Sequence, residues 1–405
     1  MKGYEEMSKK AIMYGGGNIG RGFIGQLLYQ SGYDVSFVDV NKDLLKSLND
    51  AGEYPVRILK GEDYEEVMVK NISGIDGNDL DAVSTAIAES DICATAVGVN
   101  VLKFVAKPFK EGIVKRFTTG SKKPLNIIIC ENLIGADEFL KGLIFDLMTE
   151  EERAYLDNVG FVEASIGRMV PIQTDEMKDG NALRVCVESY DMLPVDSAAF
   201  KGEIPEIKNL VPFTPFSYYI ERKLFIHNMG HASTAYLGSY LGLSYIWESI
   251  DVPEVELIVM RAMQESAMAM SKKYGVAFET LNAHIENLIY RFSNKQLGDT
   301  AARVGGDIKR KLSPNDRMVG AYKMCAEQEI DNIYMAVTIA ASLLFTREGE
   351  EKMSPEQILC EVSGFEKGGE DYNKIMDIYA MFEKKMSLAE ILKAVKKASN
   401  SKKIV

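Results

Sequence analysis

A nine-residue segment, KLFIHNMGH at residues 223–231, carries side chains that could act together on an alcohol. Lys223 is a candidate general base, while Asn228 and His231 could hydrogen-bond the oxygen of a substrate hydroxyl. A lysine serves as a base near neutral pH only where burial or a neighbouring cation lowers its pKa. The apolar residues 224–226 and the adjacent Arg222 favour such a decrease. The segment therefore predicts proton transfer to or from an alcohol.

The spacing of these residues limits how a regular helix can present them. On an ideal α-helix, residues three apart lie about 60° from each other, so Asn228 and His231 share a face. Residues five apart lie about 140° from each other, so Lys223 has to reach the pair from the first turn or across a groove. His227 lies off that face and is interpreted as structural, and His284, in a surface-like helix, is assigned no role. The residues alone leave open that Lys223 only extends its amine into solvent.

A glycine-rich loop near the N-terminus predicts a nucleotide-binding site. Gly15, Gly17 and Gly20 have GxGxxG spacing, and Asn18 and Ile19 lie between the last two glycines. The first glycine allows a tight turn, the second lets the backbone approach a pyrophosphate, and the third lets helix and strand pack closely. The positive end of the following helix then faces the phosphates. The alternative is a glycine-rich turn with an ordinary helix cap.

Asp39 indicates which dinucleotide the loop would bind. It closes the second predicted strand, about 20 residues beyond the loop, where a carboxylate can accept hydrogen bonds from the adenosine ribose. The same charge repels a 2′-phosphate, so NAD is favoured over NADP. Lys42 lies close enough along the chain to weaken that preference.

The elements that would position these residues follow an alternating pattern in the first half of the chain. Short apolar segments rich in β-branched residues predict strands at 11–15, 35–40, 92–98, 125–130 and 160–166. Helical spacing predicts helices at 19–32, 41–52, 100–112 and 135–148. This alternation is typical of an α/β doubly wound sheet of the Rossmann type. Residues 54–75 instead alternate like antiparallel strands, and residues 183–190 predict another extended segment, a candidate edge strand.

The chain is long enough for two domains, since it has 405 residues. We predict a dinucleotide-binding domain over residues 1–200 and a mainly α-helical substrate domain over residues 201–405. The helical prediction rests on long amphipathic runs after residue 222.

Composition excludes several classes of partner. The net charge of -12 argues against nucleic acid and against an anionic membrane surface. No apolar run reaches the ~18 residues that span a bilayer, and the start lacks the apolar core of a signal peptide. The five cysteines are widely spaced and show no CxxC pair, which favours reduced thiols and a cytoplasmic location. Oligomeric state stays open.

Several motifs together carry a family resemblance. They are YGGGNIGRGFIGQLL, CENLIGA, ERKLFIHNMGHASTAYLG, RFSNKQLGDTAARV and RKLSPNDRMVG, running from Ala11 to about Gly320. In this combination the chain resembles the polyol-specific long-chain dehydrogenases. The resemblance implies a zinc-independent NAD enzyme in which Lys223 removes the hydroxyl proton as hydride leaves the same carbon. The sequence has no HExxH motif and no paired cysteines, so it offers few candidate ligands for zinc, which agrees with a zinc-independent enzyme.

The resemblance also assigns the polar partners of the lysine. Asn228 would hydrogen-bond the developing oxyanion, with Asn132 of the CENL segment as a second donor, and His231 would orient the substrate. Asn132 could instead be a strand-end residue that caps the next helix.

The substrate implied is a small anionic sugar alcohol or ketose. We expect interconversion of mannitol 1-phosphate and fructose 6-phosphate, with tagaturonate or fructuronate reduction and oxidation of a free polyol such as mannitol as alternatives. A nucleotide-binding regulatory protein without catalysis is the alternative from another class. A group of basic residues could bind the anion: Arg291, Arg303, Lys309, Arg310, Lys311 and Arg317. Two positions depart from the family pattern and affect substrate fit, because Gly167 replaces an acidic residue before Arg168 and Lys295 replaces a proline.

Overall fold

The polypeptide divides into two units, the first ending at Ser217 and the second beginning at Tyr218. The computed structural model describes residues 8–61, 63–347, 349 and 353–402, and for residues 398–402 it describes only the backbone. None of the helices in these ranges combines the length and the apolar character that crossing a bilayer requires. The five cysteines all lie in the described ranges and carry free thiols.

The strands that the structure describes all belong to the first unit. They are β1 Lys9–Tyr14, β2 Tyr33–Asp39, β3 Glu53–Lys60, β4 Asp63–Lys70, β5 Ile72–Asp76, β6 Ile92–Thr95, β7 Leu125–Ile129, β8 Val159–Glu163, β9 Val185–Glu188, β10 Leu193–Asp196 and β11 Leu210–Phe213.

Six of these strands form one parallel sheet in the order β5-β2-β1-β6-β7-β8. The five strands predicted from apolar segments all lie in it, and every residue of β6 and β7 is buried. Strands buried on both faces need apolar side chains at every position, which is why these segments read as continuous apolar runs. The strand order reverses between β1 and β6, the point where open parallel sheets bind ligands at their carboxyl edge. The predicted Rossmann-type sheet is confirmed.

Helices cover both faces of this sheet, and the side chains of β1 show how. Ala11 and Met13 point into one apolar core, while Ile12 and Tyr14 point into the other. The helical segments of the first unit are Gly20–Gly25 (π), Gln26–Gln30, Lys42–Ala51, Leu80–Glu89, Val99–Thr118, Ala136–Leu147, Glu152–Asn158 (3₁₀), Asp175–Lys178 and Ser197–Ala199 (3₁₀).

The antiparallel prediction for residues 54–75 is correct for one part and wrong for another. Strands β3 and β4 pair antiparallel, and β9 joins β3 in a separate three-stranded sheet, so the extended segment predicted at 183–190 does not extend the main sheet. Strand β5 instead pairs parallel with β2 at the edge of the six-stranded sheet. Because an edge strand is less buried, Ser73 and Gly74 are tolerated in β5. These small residues between apolar ones give β5 the alternating sequence pattern that is typical of an antiparallel strand.

The second unit is mainly helical in the part that the structure describes, as predicted. Its segments, counted from the helix that crosses the unit boundary, are Ser217–Arg222, Lys223–Asn228 (π), Met229–Tyr240, Ile246–Ile250, Pro253–Tyr274, Phe278–Phe292, Lys295–Leu297 (3₁₀), Ala301–Gly305, Ile308–Lys311, Val319–Glu327, Ile333–Ser342, Pro355–Gln357, Ile358–Val362 (π), Glu370–Glu383 and Leu388–Lys402.

Candidate active site

The segment that carries Lys223 is a π-helical turn, not a regular α-helix. It spans Lys223–Asn228 and joins two α-helical stretches without a break. At its end the Met229 N–H donates to the carbonyl oxygens of Ile226 and Leu224, and the second of these bonds spans five residues. In a π turn one more residue is accommodated between hydrogen-bonded partners than in an α-helix. The 140° separation of an ideal α-helix therefore does not apply to Lys223 and Asn228, which are the first and last residues of this turn.

The surroundings of Lys223 lower the pKa of its amine. The residue is partly buried, and this burial lowers the pKa of its amine to about 8, with the positive charge of Arg317 acting in the same direction. Arg317 is itself held in place, since its Nε donates to Asp316 Oδ1 over 2.8 Å. At a pKa of about 8 a substantial fraction of Lys223 is neutral at physiological pH, which is what a general base requires.

Close packing keeps the Arg317 segment against the π turn. A methyl group at Gly320 would lie 2.8 Å from the ring of Phe225, so only a glycine allows this approach. Gly320 N–H also donates to the Asp316 carbonyl oxygen over 2.8 Å, which starts the helix Val319–Glu327. The cation that lowers the pKa of Lys223 thus belongs to a segment packed directly on the lysine's own turn.

His231 lies between a carboxylate and an aromatic ring. Its Nε2 is 3.2 Å from Asp299 Oδ2, and its ring stacks on Phe292 at 5.0 Å between centroids with 15° between planes. Burial acts to raise the pKa of Asp299, but His231 and Arg303 outweigh it and the pKa is lowered overall. The carboxylate is therefore ionised and fixes the orientation of the imidazole.

His231 and His284 both act electrostatically on His227. The His227 ring is 6.4 Å from that of His231, and burial followed by Arg291 lowers the pKa of His227 well below its usual value. His284 and Lys223 contribute further to that decrease. The sequence assigned His284 no role, yet the pKa of its own imidazole is lowered by burial, then by Arg222 and Arg291. His227 and His284 are thus neutral at physiological pH.

The structure brings three of the four predicted catalytic residues onto one helical run. Lys223 and Asn228 are the first and last residues of the π turn, and His231 follows three residues later. Asn228 is partly buried beside the buried His227. Sequence reasoning did not identify Asp299, and it named Arg317 only as a candidate for binding an anion, because both lie far along the chain from His231 and Lys223.

The glycine loop has the geometry that its spacing predicts. Gly15 has a φ of +105°, and a Cβ there would overlap the Ala96 carbonyl oxygen. A Cβ at Gly20 would overlap the Gly15 carbonyl oxygen, so this glycine lets the helix start against the strand end. At Gly17 a Cβ would meet nothing within 4 Å. Gly17 and Asn18 are exposed and Ile19 is partly so, which leaves the backbone of this turn accessible to a phosphate.

Asp39 braces the loop from the end of β2. Its Oδ2 accepts the Gly16 N–H over 2.8 Å and its Oδ1 accepts the Asn41 N–H over 2.9 Å. A carboxylate has about four acceptor sites, so both oxygens can still accept from ribose hydroxyls. Asp39 can therefore position the loop and also accept hydrogen bonds from the ribose.

A buried arginine that the sequence analysis did not single out also fixes the loop. Arg21 Nε donates to the Gly16 carbonyl oxygen over 2.7 Å and Nη1 to the Leu183 carbonyl oxygen over 2.5 Å. It lines a cavity of about 500 Å³ with Asn18 and Arg184. The positive lining of this cavity favours an anionic ligand beside the loop.

Asn132, the fourth predicted catalytic residue, lies in the first unit. It is exposed in the loop between β7 and the helix Ala136–Leu147. The alternative reading, that it caps this helix, is wrong, because Gly135 is the N-cap residue and its N–H donates to Glu163 Oε1 over 2.9 Å. The preceding Glu131 is buried and accepts backbone N–H bonds from the loop after β6, at 2.9 and 2.8 Å.

Comparison with protein families decides which enzymes this arrangement belongs to. The profile of the mannitol dehydrogenase Rossmann domain matches residues 9–209, and that of the mannitol dehydrogenase C-terminal domain matches residues 216–397. The chain belongs to the mannitol dehydrogenase family. It is an oxidoreductase of the polyol dehydrogenase type with a dinucleotide-binding Rossmann domain, and the resemblance read from its motifs is confirmed.

Curated relatives of this family member share most of its length. A mannitol-1-phosphate 5-dehydrogenase from Brevibacillus brevis (strain 47) is 39% identical over 336 residues, which are 83% of this chain and 86% of that protein. The mannitol-1-phosphate 5-dehydrogenase of Bacillus subtilis (strain 168) is 38% identical over 357 residues, 88% of this chain and 92% of the relative.

Two solved structures share the fold. D-sorbitol dehydrogenase in its substrate-free form matches with a TM-score of 0.79 at 14% identity and covers 94% of both chains. Pseudomonas fluorescens mannitol 2-dehydrogenase, in a ternary complex with NAD and D-mannitol, matches with a TM-score of 0.70 at 15% identity, over 97% of this chain and 95% of that one.

The basic residues predicted to bind an anion have different surroundings in this family member. Arg303 pairs with Asp299, and Lys311 is buried with its Nζ donating to the Val304 carbonyl oxygen over 2.6 Å. Arg291 and Arg317 are the two whose charges act on His227 and Lys223. In the described ranges no group of three or more His, Cys, Asp or Glu side chains could hold a metal ion.

Proposed function

We propose that this family member is an NAD-dependent dehydrogenase that interconverts a sugar-alcohol phosphate and its ketose phosphate. Mannitol 1-phosphate and fructose 6-phosphate are the proposed pair. Relatives named for this reaction, at 38% and 39% identity over more than 80% of the chain, support the substrate. The observation that carries the chemistry is Lys223, whose amine has a pKa of about 8 on the turn it shares with Asn228.

In the oxidation direction the neutral amine of Lys223 takes the proton of the substrate hydroxyl. Bound NAD supplies the hydride acceptor. Asn228 donates a hydrogen bond to the oxygen as negative charge develops on it, and Asn132 is proposed as a second donor. His231, held by Asp299, orients the substrate through a second hydroxyl. In the reverse direction the ammonium of Lys223 returns the proton to the new alcohol.

The cofactor proposal rests on the first unit. The exposed backbone around Gly17 leaves room for a pyrophosphate, and Asn18, Ile19 and Gly20 continue into the helix whose N-terminus would face it. Asp39 ends β2 with a carboxylate that would accept from the ribose hydroxyls and repel a 2′-phosphate. These residues favour NAD over NADP.

A phosphate on the substrate is supported by the cations near the catalytic residues. Arg317 acts on Lys223 and Arg291 acts on His227, so two cations lie near these residues within a chain of net charge -12. A positive site in an acidic protein favours an anionic substrate. A hexuronate would use the same charge through its carboxylate, so the two classes have to be separated by assay.

The mechanism proposed here also needs no zinc, because Lys223 supplies the proton-transfer group and Asn228 the oxyanion donor. We expect activity to persist after dialysis against EDTA and not to rise on addition of zinc. Loss of activity with EDTA, restored by a divalent metal, would contradict this part of the proposal.

A substrate panel tests the assignment. NADH oxidation is measured with fructose 6-phosphate, fructose, tagaturonate and fructuronate, and each is repeated with NADPH. We expect the highest kcat/KM with fructose 6-phosphate and NADH. Turnover of a uronate alone would replace the phosphate proposal by a hexuronate reductase, and turnover of fructose alone by a free-polyol dehydrogenase. NADH binding without turnover of any ketose would favour a regulatory protein.

A further inference from the structure

Two carboxylates lie side by side where the parallel sheet ends beside the glycine loop. Strand β5 pairs with β2, and the last residues of the two strands, Asp76 and Asp39, are partners in that register. Register partners on neighbouring strands place their side chains on the same face of the sheet. The Gly77 N–H also donates to the Asp39 carbonyl oxygen over 2.8 Å, so the turn after β5 is bonded to the end of β2. Asp76 is therefore a direct neighbour of the carboxylate proposed to bind the ribose.

Asp39 is not the only charged residue at this end of the site, because a lysine lies next to it. The helix Lys42–Ala51 begins three residues after Asp39, and Lys42 is its first residue. A lysine ammonium is a common ligand of phosphate groups. Lys42 would therefore attract the 2′-phosphate of NADP to the same place from which Asp39 repels it, and the choice of dinucleotide depends on what else holds this lysine.

Asp76 holds the ammonium group of Lys42. Lys42 Nζ lies 3.6 Å from Asp76 Oδ2. The other carboxylate oxygen, Asp76 Oδ1, accepts both the backbone N–H and the side-chain amide of Asn78, each over 2.9 Å. These two bonds fix the carboxylate, and together with the charge of Lys42 they lower its pKa, so it is ionised at physiological pH. A fixed negative charge thus competes with any phosphate for Lys42.

The ion pair is exposed enough for the lysine to change partner. The side chain of Lys42 is 77% exposed and that of Asp76 is 35% exposed. Exposed ion pairs are weak, because water screens them and the long lysine side chain loses entropy when it is held. Lys42 can therefore turn to a nearby phosphate once Asp76 no longer carries a charge.

The alternative is that this pair only anchors the helix to β5. That anchoring is already provided by Asn49 on the same helix. Its Nδ2 donates to the Gly74 carbonyl oxygen over 3.0 Å, and its Oδ1 accepts the Gly74 N–H over 2.7 Å. A Cβ at Gly74 would lie 2.9 Å from the side chain of Leu45, so helix and strand are also closely packed. The contact between helix and strand thus does not depend on Lys42 and Asp76.

We propose that Asp76 is a second determinant of coenzyme choice, which repels a 2′-phosphate and keeps Lys42 from binding one. This role of Asp76 rests on the cofactor site proposed above, in which Asp39 accepts hydrogen bonds from the adenosine ribose. Without the charge of Asp76, Lys42 becomes a phosphate ligand and the preference moves toward NADPH. NADH has no 2′-phosphate, so its binding changes little.

Fluorescence titration of the full chain with NADH and with NADPH measures this preference without turnover, and wild type should bind NADH more tightly. Asp76→Asn keeps an acceptor for Asn78, and it should tighten NADPH binding about fivefold or more while NADH stays within about twofold. Asp76→Ser, which is also uncharged, should show the same gain and guards against a folding defect of one variant. Asp50→Asn is the matched control, because it removes a carboxylate paired with Lys46 on the same helix, and it should leave both dissociation constants unchanged.

A double variant tests the part played by the lysine. Asp76→Asn combined with Lys42→Ala has no ammonium to release, so most of the gain in NADPH binding should disappear. Adenosine 2′,5′-bisphosphate, measured by its displacement of NADH, should show the same gain and the same loss, because it carries the 2′-phosphate without the nicotinamide. Unchanged NADPH binding in both Asp76 variants, or a gain that persists in full without Lys42, would overturn the proposal while leaving the cofactor site intact. Wild type that binds neither dinucleotide would overturn the cofactor site itself, and the role of Asp76 with it.

Discussion

His231 Nε2 lies 3.2 Å from Asp299 Oδ2, and this contact determines which ring nitrogen of the imidazole is available to a substrate. An ionised carboxylate accepts a hydrogen bond from Nε2–H, so Nδ1 is left as the acceptor. Stacking on Phe292 fixes the plane of the ring. His231 is thus set to accept a hydrogen bond from a substrate hydroxyl other than the one that Lys223 deprotonates, which suits an orienting role.

Replacing Asp299 by asparagine should move the proton of the neutral His231 imidazole from Nε2 to Nδ1. The amide can donate to Nε2 and so favour the tautomer with its proton on Nδ1, which can no longer accept from the substrate. We expect Asp299→Asn to lower kcat/KM about 10- to 100-fold, with NADH binding unchanged. Arg303→Gln is the control, because Arg303 contacts the same carboxylate from an exposed position and should cost less than about threefold. Equal losses in both variants would argue against the tautomer explanation.

The pKa of Lys223 predicts opposite pH dependences for the two directions. Oxidation needs the neutral amine, so its kcat/KM should rise with pH through about 8. Reduction needs the ammonium and should fall over the same range. Arg317→Gln removes a positive charge that lowers this pKa, so both profiles should move to higher pH. Arg310→Gln also removes a cation from Asp316 and should shift them less. Profiles that are identical in wild type and Arg317→Gln would remove Arg317 from the site.

Removing the lysine itself is the direct test of the proposed base. Lys223→Met keeps much of the buried volume but has no titratable group, so the protein should fold and bind NADH as wild type. We expect kcat to fall at least about a thousandfold in both directions. The variant is measured by NADH fluorescence titration and by turnover of the preferred substrate. Unchanged turnover with intact NADH binding would show that another group transfers the proton.

The parallel sheet could be predicted from the sequence because its cause is local. Strands buried on both faces need apolar residues at every position, and β6 and β7 show this directly. Strand β5 was missed as a parallel strand because Ser73 and Gly74 interrupt its apolar pattern. The sheet order follows from general rules of α/β folds, whereas pairing at an edge depends on contacts that no short segment reveals.

The candidate site likewise has a part that the sequence could predict and a part that only the structure shows. Lys223, Asn228 and His231 could be selected because their types and spacing occur within nine residues. The π turn has no local sequence signature, so an angle based on an ideal α-helix does not describe Lys223 and Asn228. Asp299 and Arg317 act on residues far away along the chain, and only the packed structure shows these partners.

Two glycines of the nucleotide loop should respond differently to the same added methyl group. A Cβ at Gly17 meets nothing within 4 Å, so Gly17→Ala should fold with an unchanged unfolding midpoint but bind NADH about tenfold more weakly. A Cβ at Gly20 overlaps the Gly15 carbonyl oxygen, so Gly20→Ala should lower the free energy of unfolding by about 1–3 kcal/mol. Thermal unfolding and NADH titration separate the two effects. Equal destabilisation by both substitutions would contradict the assigned roles.

Glu163 should make the stability of the protein depend on pH. Burial raises the pKa of Glu163 from 4.5 to about 7, with Asp137 and Asp196 adding to the increase and the Gly135 N–H opposing it. Between these two values the folded protein keeps a proton that the unfolded chain has lost, so the free energy of unfolding falls as pH rises. Glu163→Gln removes this titration while keeping an oxygen that can accept the Gly135 N–H. Allowing for solvent screening, it should be more stable than wild type by about 1 kcal/mol above pH 7. The check is urea unfolding of both proteins from about pH 5 to about pH 8, and parallel stability curves would show that Glu163 ionises at its ordinary pKa.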